Sequence, residues 1–537
     1  MRIVFYYPVL VLALISLVNV TCAQTYDHLD YNQIKAIVFS NGQLFNNTPE
    51  GCMPGYEVPQ GMNTYTIFSA NLWIAGLDNE NKIRSFAPKF NQNYVNYFGP
   101  ASDDCKSEEF RLTYDKVWKV DIAEILFHID NFDKPGYEMP ESFSTWPAEG
   151  NIHNGEALNL APYYDYNQNG IYDPESGDFP LIKGDYAVYF IYKDTDEHYY
   201  LSQDDMGLEF HGMLYGFNST IGSVFSETLF LNYQIINRSQ TNYSDVYAGL
   251  WTDFDLGYVY DDVFGSDSVN QMMYVYNSNI EDGYGVEDVY AEDFYGSPAP
   301  VQAVMLLNSE VHAAVDPDYY SGAHPGILYD YDDAVTYNVL QGKSMNGVPY
   351  FNPFALENGD TVITTYNYSG YPENGTGWIA PYAEYGGDVR GLISAGPYTL
   401  NSGEKICLDF ALPYARDLQG DNLSALSVLR EKAGAILDFF EENDLGCDSY
   451  QTGILDRISK QDKITVYPNP SNGEFNVDLS DIAEKTKIVR IYSIEGKLLE
   501  EFTSTESELE LSIQTKGSYL LFLETSKNKY VSKFEIF

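Results

Sequence analysis

Segments of alternating apolar and polar residues, and short runs of β-branched and aromatic residues, recur between residue 24 and about residue 450. Glycine, asparagine, aspartate and proline separate these segments, as they do in β-strands joined by turns. The pattern is clear at residues 65–68, 186–192, 229–236 and 301–307. Because no helical pattern separates these strands, we predict a mainly β main region, 24–450, with a sandwich-like architecture.

One helix is predicted late in this region. Apolar residues recur there at helical spacing, Asp421 and Asn422 can cap the first turn, and Gly446 follows the end. The apolar positions are Leu423, Leu426, Leu429, Ala433, Ile436, Leu437 and Phe440. We expect this helix to pack against the main region.

A polar and charged stretch at 451–463 is predicted to be a linker, and strand patterns resume at residue 464. Apolar residues alternate with polar ones around Phe475 and Leu509, and a buried run follows Gly517. Six or seven short strands in this span predict a small Ig-like β-sandwich at 464–537.

Residues 1–23 have the organisation of a secretory signal peptide. Arg2 supplies a positive start, residues 9–18 are apolar, and the segment ends in small residues at Ala23. The apolar run is short for a membrane span, so a retained anchor is the weaker alternative, and Cys22 leaves a lipoprotein as another. We predict export, with no transmembrane segment after cleavage.

The 537-residue chain carries 30 Lys and Arg against 78 Asp and Glu, a net charge of −48. Its length predicts more than one domain, since single cores rarely grow beyond ~250–300 residues. So negative a chain repels phosphates, which excludes nucleic acid as a partner. The negative charge has two possible roles: it attracts cations such as calcium, or it serves only to keep a secreted protein soluble. The 48 tyrosines form glycan- or protein-binding surfaces, or they fill half-buried strand positions.

Four cysteines remain after signal cleavage, which allows three disulfide pairings. An exported chain can hold disulfides. Proximity in sequence favours Cys52–Cys105 and Cys407–Cys447, and the sequence alone leaves the pairing open.

The segment from residue 165 to 178 has the pattern of a calcium-binding loop. Oxygen-bearing side chains stand at positions 1, 3, 5 and 9, a glycine at position 6 permits the sharp turn, and the carbonyl of position 7 faces inward. Ser176 replaces the usual bidentate glutamate, so Glu175 or Asp178 would complete the shell. The alternative is an Asx-rich turn without metal. The predicted ligands are Asp165, Asn167, Asn169, Ile171, Asp173 and Asp178.

A second acidic cluster follows Trp251. Asp253 and Asp255 would share one face of a strand, where unpaired carboxylates repel and a cation would relieve them. Calcium ligation, exposed loop charge and a catalytic carboxylate pair for glycoside hydrolysis all remain open. The predicted ligands are Asp253, Asp255, Asp261, Asp262 and Asp267.

The C-terminal motifs YPNPSNGEF, VRIYSIEGKLL and GSYLLFLE and the terminal KFEIF resemble, in order and spacing, the type A sorting domain of the type IX secretion system. The resemblance implies a Bacteroidetes-type host, Sec export, and outer-membrane translocation by the type IX machinery as partner. The cargo is then released or anchored at the surface. The characteristic positions are Pro468, Asn469, Pro470, Gly473, Gly496, Lys497, Gly517 and Tyr519.

The main region resembles a group of large secreted Bacteroidetes proteins of unassigned activity that carry the same sorting domain. The shared motifs are LWIAG at 72–76, WPA at 146–148, APYYD at 161–165, GDFP at 177–180 and INRS at 236–239. This resemblance implies one conserved unit and no activity. No GxSxG, HExxH, P-loop or GxGxxG motif is present. We therefore expect a non-catalytic, calcium-stabilised surface or adhesion protein that binds a glycan or protein. The alternative is an extracellular carboxylate-dependent hydrolase acting on polysaccharide.

Overall fold

A computed structural model gives the fold of most of the chain. The predicted signal peptide and linker lie outside the residues that it describes. The described residues are 25–47, 49, 53–89, 96–194, 205–219, 222–285, 294–317, 333–357, 360–381, 386–443, 445–447, 449–450, 465–480, 482, 485–493, 497–525 and 529–537.

The main region contains 23 described strands, which begin and end as follows. They are β1 (Tyr26–Leu29), β2 (Lys35–Phe39), β3 (Asn46–Asn47), β4 (Met53–Pro54), β5 (Tyr56–Glu57), β6 (Tyr65–Leu77), β7 (Ile83–Phe86), β8 (Asn96–Phe98), β9 (Trp118–Asp121), β10 (Tyr163–Tyr164), β11 (Phe179–Pro180), β12 (Tyr186–Asp194), β13 (Leu208–Gly216), β14 (Thr228–Asn237), β15 (Tyr243–Phe254), β16 (Asp262–Asp267), β17 (Met272–Asn277), β18 (Val301–Leu306), β19 (Ala313–Val315), β20 (Tyr350–Glu357), β21 (Asp360–Thr364), β22 (Val389–Leu400) and β23 (Lys405–Ala415). The four segments predicted from their patterns correspond to β6, β12, β14 and β18, so these predictions are confirmed.

Two large antiparallel sheets form the body of the main region, and the pairs β3-β4, β10-β11 and β20-β21 form three two-stranded sheets beside them. The first has the order β1-β2-β5-β6-β15-β22-β19, with β7 paired to β6. The second has the order β16-β17-β18-β23-β14-β13-β12-β8, with β9 paired to β12. Phe86 of the first sheet stacks on Phe210 of the second at 4.9 Å, and Tyr56 donates a hydrogen bond across to the carbonyl of Leu412. One apolar core runs through both large sheets, so the two sheets pack against each other as a sandwich.

Five α-helices in the described part of the main region cover this sandwich: α1 (Glu108–Tyr114), α2 (Ile122–Asn131), α3 (Glu141–Ser144), α4 (Asp333–Leu340) and α5 (Ser424–Glu442). The predicted late helix is α5, and it packs on β18 and β23. The Asp421 carboxylate accepts the Ser424 amide at 2.7 Å, as expected for a cap. The sequence patterns did not indicate the four shorter helices. Within the described residues, no helix is both long and apolar enough to cross a membrane.

A disulfide joins Cys407 on β23 to Cys447 beyond α5, so one of the two favoured pairings is confirmed. Cys105 has a free thiol, which contradicts the other pairing, and Cys52 lies outside the described residues. The buried Lys183 ammonium donates to the carbonyls of residues 445, 446 and 449 nearby. This end of the main region is therefore held both covalently and by hydrogen bonds.

The C-terminal domain is a small two-sheet sandwich with its own apolar core, as predicted. Its sheets have the orders β24-β25-β28 and β27-β26-β29-β30. The strands are β24 (Thr465–Tyr467), β25 (Glu474–Asp478), β26 (Lys487–Ser493), β27 (Leu498–Ser504), β28 (Glu508–Ser512), β29 (Gly517–Thr525) and β30 (Lys529–Ile536).

Candidate cation site

The candidate site lies where the chain leaves the first sheet for the second. Asp253 is the second-last residue of β15 and pairs across the ladder with Arg390 of β22 and Ser69 of β6. Asp255 follows the strand, and its amide donates to the carbonyl of Thr66 at 3.1 Å. Asp388 comes directly before β22. Backbone pairing of three neighbouring strands therefore fixes all three carboxylates.

Asp253, Asp255 and Asp388 each place a carboxylate oxygen within 4.8 Å of the other two. The sequence predicted that Asp253 and Asp255 would meet on one face, and their carboxylates do lie together. It did not predict Asp388, which is distant in sequence and carries no local motif. We call these three residues the aspartate trio.

Arg390 is the counter-ion of the trio. Its Nε lies 3.0 Å from Asp253 Oδ1, and its Nη1 lies 3.0 Å from Asp388 Oδ1. Asp253 is 2% exposed, so water does little to screen its charge. One guanidinium cannot balance three carboxylates, which leaves an excess of negative charge when all three are ionised.

Burial, together with the neighbouring charges, shifts the pKa of two members of the trio. Burial raises the pKa of Asp253 to about 7, with a contribution from Asp388 that Arg390 opposes. Burial, and then the charge of Asp253, raises the pKa of Asp255 well above its usual value. In the absence of another cation, these two carboxyl groups retain protons at pH values where a solvated aspartate is ionised.

Asp262 is a fourth, fully buried carboxylate beside the trio. Its Oδ2 accepts the amide of Leu256 at 3.1 Å, and its carbonyl accepts the amide of Gly387 at 2.9 Å. Within the described part of the chain, its Oδ1 has no hydrogen-bond partner. Burial, and then nearby acids including Asp261 and Asp255, raises its pKa well above the usual value.

The other two predicted members of the cluster are engaged elsewhere. Asp261 accepts hydrogen bonds from the Asn277 side chain at 2.9 Å and the Gly283 amide at 3.0 Å. Asp267 forms an ion pair with Arg430 of α5. The structure therefore places Asp261 in a turn and gives Asp267 its own counter-ion, outside the trio.

The predicted calcium loop at 165–178 folds as a series of Asx turns. The Asp165 carboxylate accepts the amides of Asn169 at 3.1 Å and Gly170 at 2.7 Å, and Asn169 Oδ1 accepts the amide of Ile171 at 2.8 Å. Gly170 has φ +79°, the conformation that the sharp turn requires.

Asp173 accepts hydrogen bonds from the side-chain amides of Asn167 and Asn169, both at 3.1 Å. Asp178 is fully buried and binds the amides of Tyr166 and Asp173, so it joins the two ends of the loop. The side-chain amide nitrogens of Asn167 and Asn169 are thus directed toward Asp173. Calcium at this loop stays a prediction.

A separate buried network, which the sequence did not indicate, lies on β12 and β13. Glu209 Oε1 is 2.9 Å from His211 Nε2 and 2.6 Å from Arg238 Nη2, and His211 Nδ1 is 2.9 Å from the Tyr189 hydroxyl. Burial would raise the pKa of Glu209, but its bonds to His211 and Arg238 outweigh this and lower it to about 2. Glu209, His211 and Arg238 thus find their partners within the protein.

The residues characteristic of a sorting domain form turns and core in the C-terminal sandwich. Asn469 Oδ1 accepts the amide of Glu535 at 2.9 Å, and Gly473 has φ +113°. Tyr519 is buried and its hydroxyl donates to the Thr515 carbonyl at 2.7 Å. Gly496 lies outside the described residues. The remaining positions, Pro468, Pro470, Lys497 and Gly517, lie in or beside turns that connect the strands.

Residues 465–536 match the family model of the secretion system C-terminal sorting domain. The protein is therefore cargo of the type IX secretion system, exported to the cell surface or the extracellular space. A search of curated proteins found no match.

Two solved structures show weak similarity. A polysaccharide lyase is 8% identical with a TM-score of 0.19, over 62% of this chain and 34% of the lyase, so the match spans about a third of that protein. PorZ, an essential surface component of the type IX secretion system of Porphyromonas gingivalis, is 8% identical with a TM-score of 0.12, over 95% of this chain and 75% of PorZ. Both TM-scores are too low to define a shared fold.

Proposed function

We propose that this exported protein is a non-catalytic, calcium-stabilised binding protein of the cell surface or extracellular space. The observation that carries the proposal is the aspartate trio, with Asp253 buried and the charges only partly balanced by Arg390. A hard cation with carboxylate preference supplies the missing charge. Because the trio lies where the chain passes between the two sheets, a bound ion would hold this crossing in place.

The geometry supports ion binding better than polysaccharide hydrolysis, the second function that the sequence left open. A glycosidase pair flanks its substrate, with carboxyl groups ~5–5.5 Å apart in retaining enzymes and ~6.5–9.5 Å apart in inverting enzymes. Oxygen atoms of all three members converge within 4.8 Å and Asp253 is 2% exposed, an arrangement that suits one enclosed ion better than two carboxylates on either side of a sugar.

The test is thermal unfolding of the exported protein, freed of metal and then supplied with calcium. We expect calcium to raise the melting temperature of the wild type, and Asp253→Asn/Asp255→Asn to abolish that increase. Glu441→Gln/Glu442→Gln removes two exposed carboxylates from α5 and should leave it unchanged. A wild type that melts at the same temperature with and without calcium would refute the proposal.

The loop at 165–178 needs its own variant. Asp165→Asn/Asp173→Asn should remove a separate part of the calcium response if the loop also binds the ion. If this variant alone abolishes the whole response, the ion lies in the loop and the trio is balanced by protons.

A further inference from the structure

A cleft of about 540 Å³ opens between α1 and the segment that follows α3. Its volume falls in the range of ~300–1,000 Å³ common for small-ligand sites. Glu109, Leu112 and Thr113 line one wall, while Thr145 and Glu149 line the other. None of the residues that line the cleft belongs to the aspartate trio.

The second wall is held rigidly before any ligand arrives. Trp118 Nε1 donates to the carbonyl of Thr145 at 2.7 Å, and Trp146 Nε1 donates to the carbonyl of Pro162 at 2.9 Å. The hydroxyl of Tyr172 donates to the carbonyl of Phe143 at 2.8 Å. A preformed wall lowers the ordering cost of binding.

The hydroxyl groups of the cleft direct their protons into the protein. Thr113 donates to the carbonyl of Glu109 at 2.9 Å, and Ser144 and Thr145 both donate to the carbonyl of Glu141, at 3.2 Å and 2.8 Å. Thr145 Oγ1 already accepts a hydrogen bond from Trp118 Nε1 at 3.2 Å, whereas the lone pairs of the Thr113 and Ser144 hydroxyls remain available as acceptors. A complementary ligand must therefore supply the donors.

The two carboxylates in the cleft add further acceptors and exclude anions. Among the described side chains lining the cleft, Lys116 is the single cation, and it already lies 3.8 Å from Glu141. With Glu109 and Glu149 ionised, the lining is net negative, so a uronate or phosphate would be repelled. The exposed Leu112 offers an apolar edge beside these acceptors.

We propose that this cleft binds a short neutral oligosaccharide. Sugar hydroxyls supply the donors, their uncharged rings avoid the repulsion, and an apolar C–H face can rest against Leu112. This inference rests on the proposed binding function and names the ligand class of a site distinct from the cation site.

The test is calorimetric titration of the exported protein with cellohexaose, xylohexaose and maltohexaose. Hexagalacturonate and hexalysine serve as anionic and cationic probes. We expect at least one neutral hexasaccharide to bind, and Glu109→Gln or Glu149→Gln to weaken it about tenfold, as for loss of a charged hydrogen bond. Glu108→Gln is the matched control, because Glu108 neighbours Glu109 on α1 and does not line the cleft. The control should bind within about twofold of wild type.

Absence of binding to all three neutral sugars, or preference for either charged probe, would overturn the proposal. Equal weakening by Glu108→Gln would do the same. If no neutral sugar binds but calcium still raises the melting temperature, the proposal for the cleft is refuted and the proposed calcium binding stands. Chromatography of the hexasaccharide after incubation with the protein shows whether the sugar is cleaved. Cleavage would support sugar binding in the cleft and would refute the proposal that the protein is non-catalytic.

Discussion

Protons and calcium should compete for the trio, because burial raises the pKa of Asp253 to about 7. An unfolded aspartate has a pKa near ~3.9, so between about pH 4 and pH 7 the metal-free folded state binds more protons than the unfolded state. Its stability should therefore fall as pH rises through this window, by roughly 4 kcal/mol from Asp253 alone. Calcium requires the ionised form, and at pH 5 only about 1% of Asp253 is ionised. Calcium binding at pH 5 should then be about 100-fold weaker than when Asp253 is fully ionised, or ~2.7 kcal/mol.

The assay compares melting temperatures with and without saturating calcium at pH 8 and pH 5, using protein stripped of metal on a chelating resin. With an unfolding entropy of ~2.1 cal/mol/K per residue over the main region, 2.7 kcal/mol corresponds to roughly 3 °C. The measurement is made in the Asp165→Asn/Asp173→Asn variant, so that calcium binding at the loop 165–178 does not contribute and only the response of the trio is measured. The calcium-induced increase should be about 3 °C larger at pH 8 than at pH 5. An equal increase at both pH values, or a larger one at pH 5, would refute the reasoning.

Three further predictions concern single contacts. Arg390→Gln leaves the buried charge of Asp253 unbalanced and should lower the free energy of unfolding of metal-free protein by about 3–5 kcal/mol at pH 8 in a urea titration. Calcium should restore part of the lost free energy. No recovery would contradict a site in which Arg390 and calcium balance the same carboxylates. Cys407→Ser/Cys447→Ser removes a crosslink between residues 40 apart in sequence and should cost about 4 kcal/mol in the same titration, whereas a loss below about 1 kcal/mol would show that the hydrogen bonds there suffice. Tyr519→Ala deletes a buried ring of the sorting domain, at about 3–5 kcal/mol, and should leave cargo in the periplasm on cell fractionation; normal export would contradict a folded sorting signal.

Strand positions could be predicted where a buried strand has a recognisable run of apolar residues in the sequence. Residues 228–237 of β14 are almost continuously buried, and their run of β-branched and aromatic residues shows it. The helix α2 carries one local signal in the sequence, the capping box between Asp121 and Glu124. The four residues of α3 are too few to show a helical period.

The candidate site was predictable only in part. Asp253 and Asp255 are separated by one residue, so strand periodicity places them on one face. Asp388 and Arg390 join them because β22 pairs with β15, a pairing that no local pattern encodes.

The sequence by itself determined the export route, the strand-rich main region, the late helix and the small C-terminal sandwich. These follow from local features, namely turn residues, periodicity and motif order, that are read within a few residues of chain. The tertiary structure decided that the two large sheets pack on one apolar core, and which acidic residues share a site. Asp253 and Asp267 look alike in sequence, yet one meets other carboxylates around a single arginine while the other meets Arg430. The charge around a carboxylate is set by side chains that distant strands and helices bring to it, so its role depends on the pairing of the whole fold.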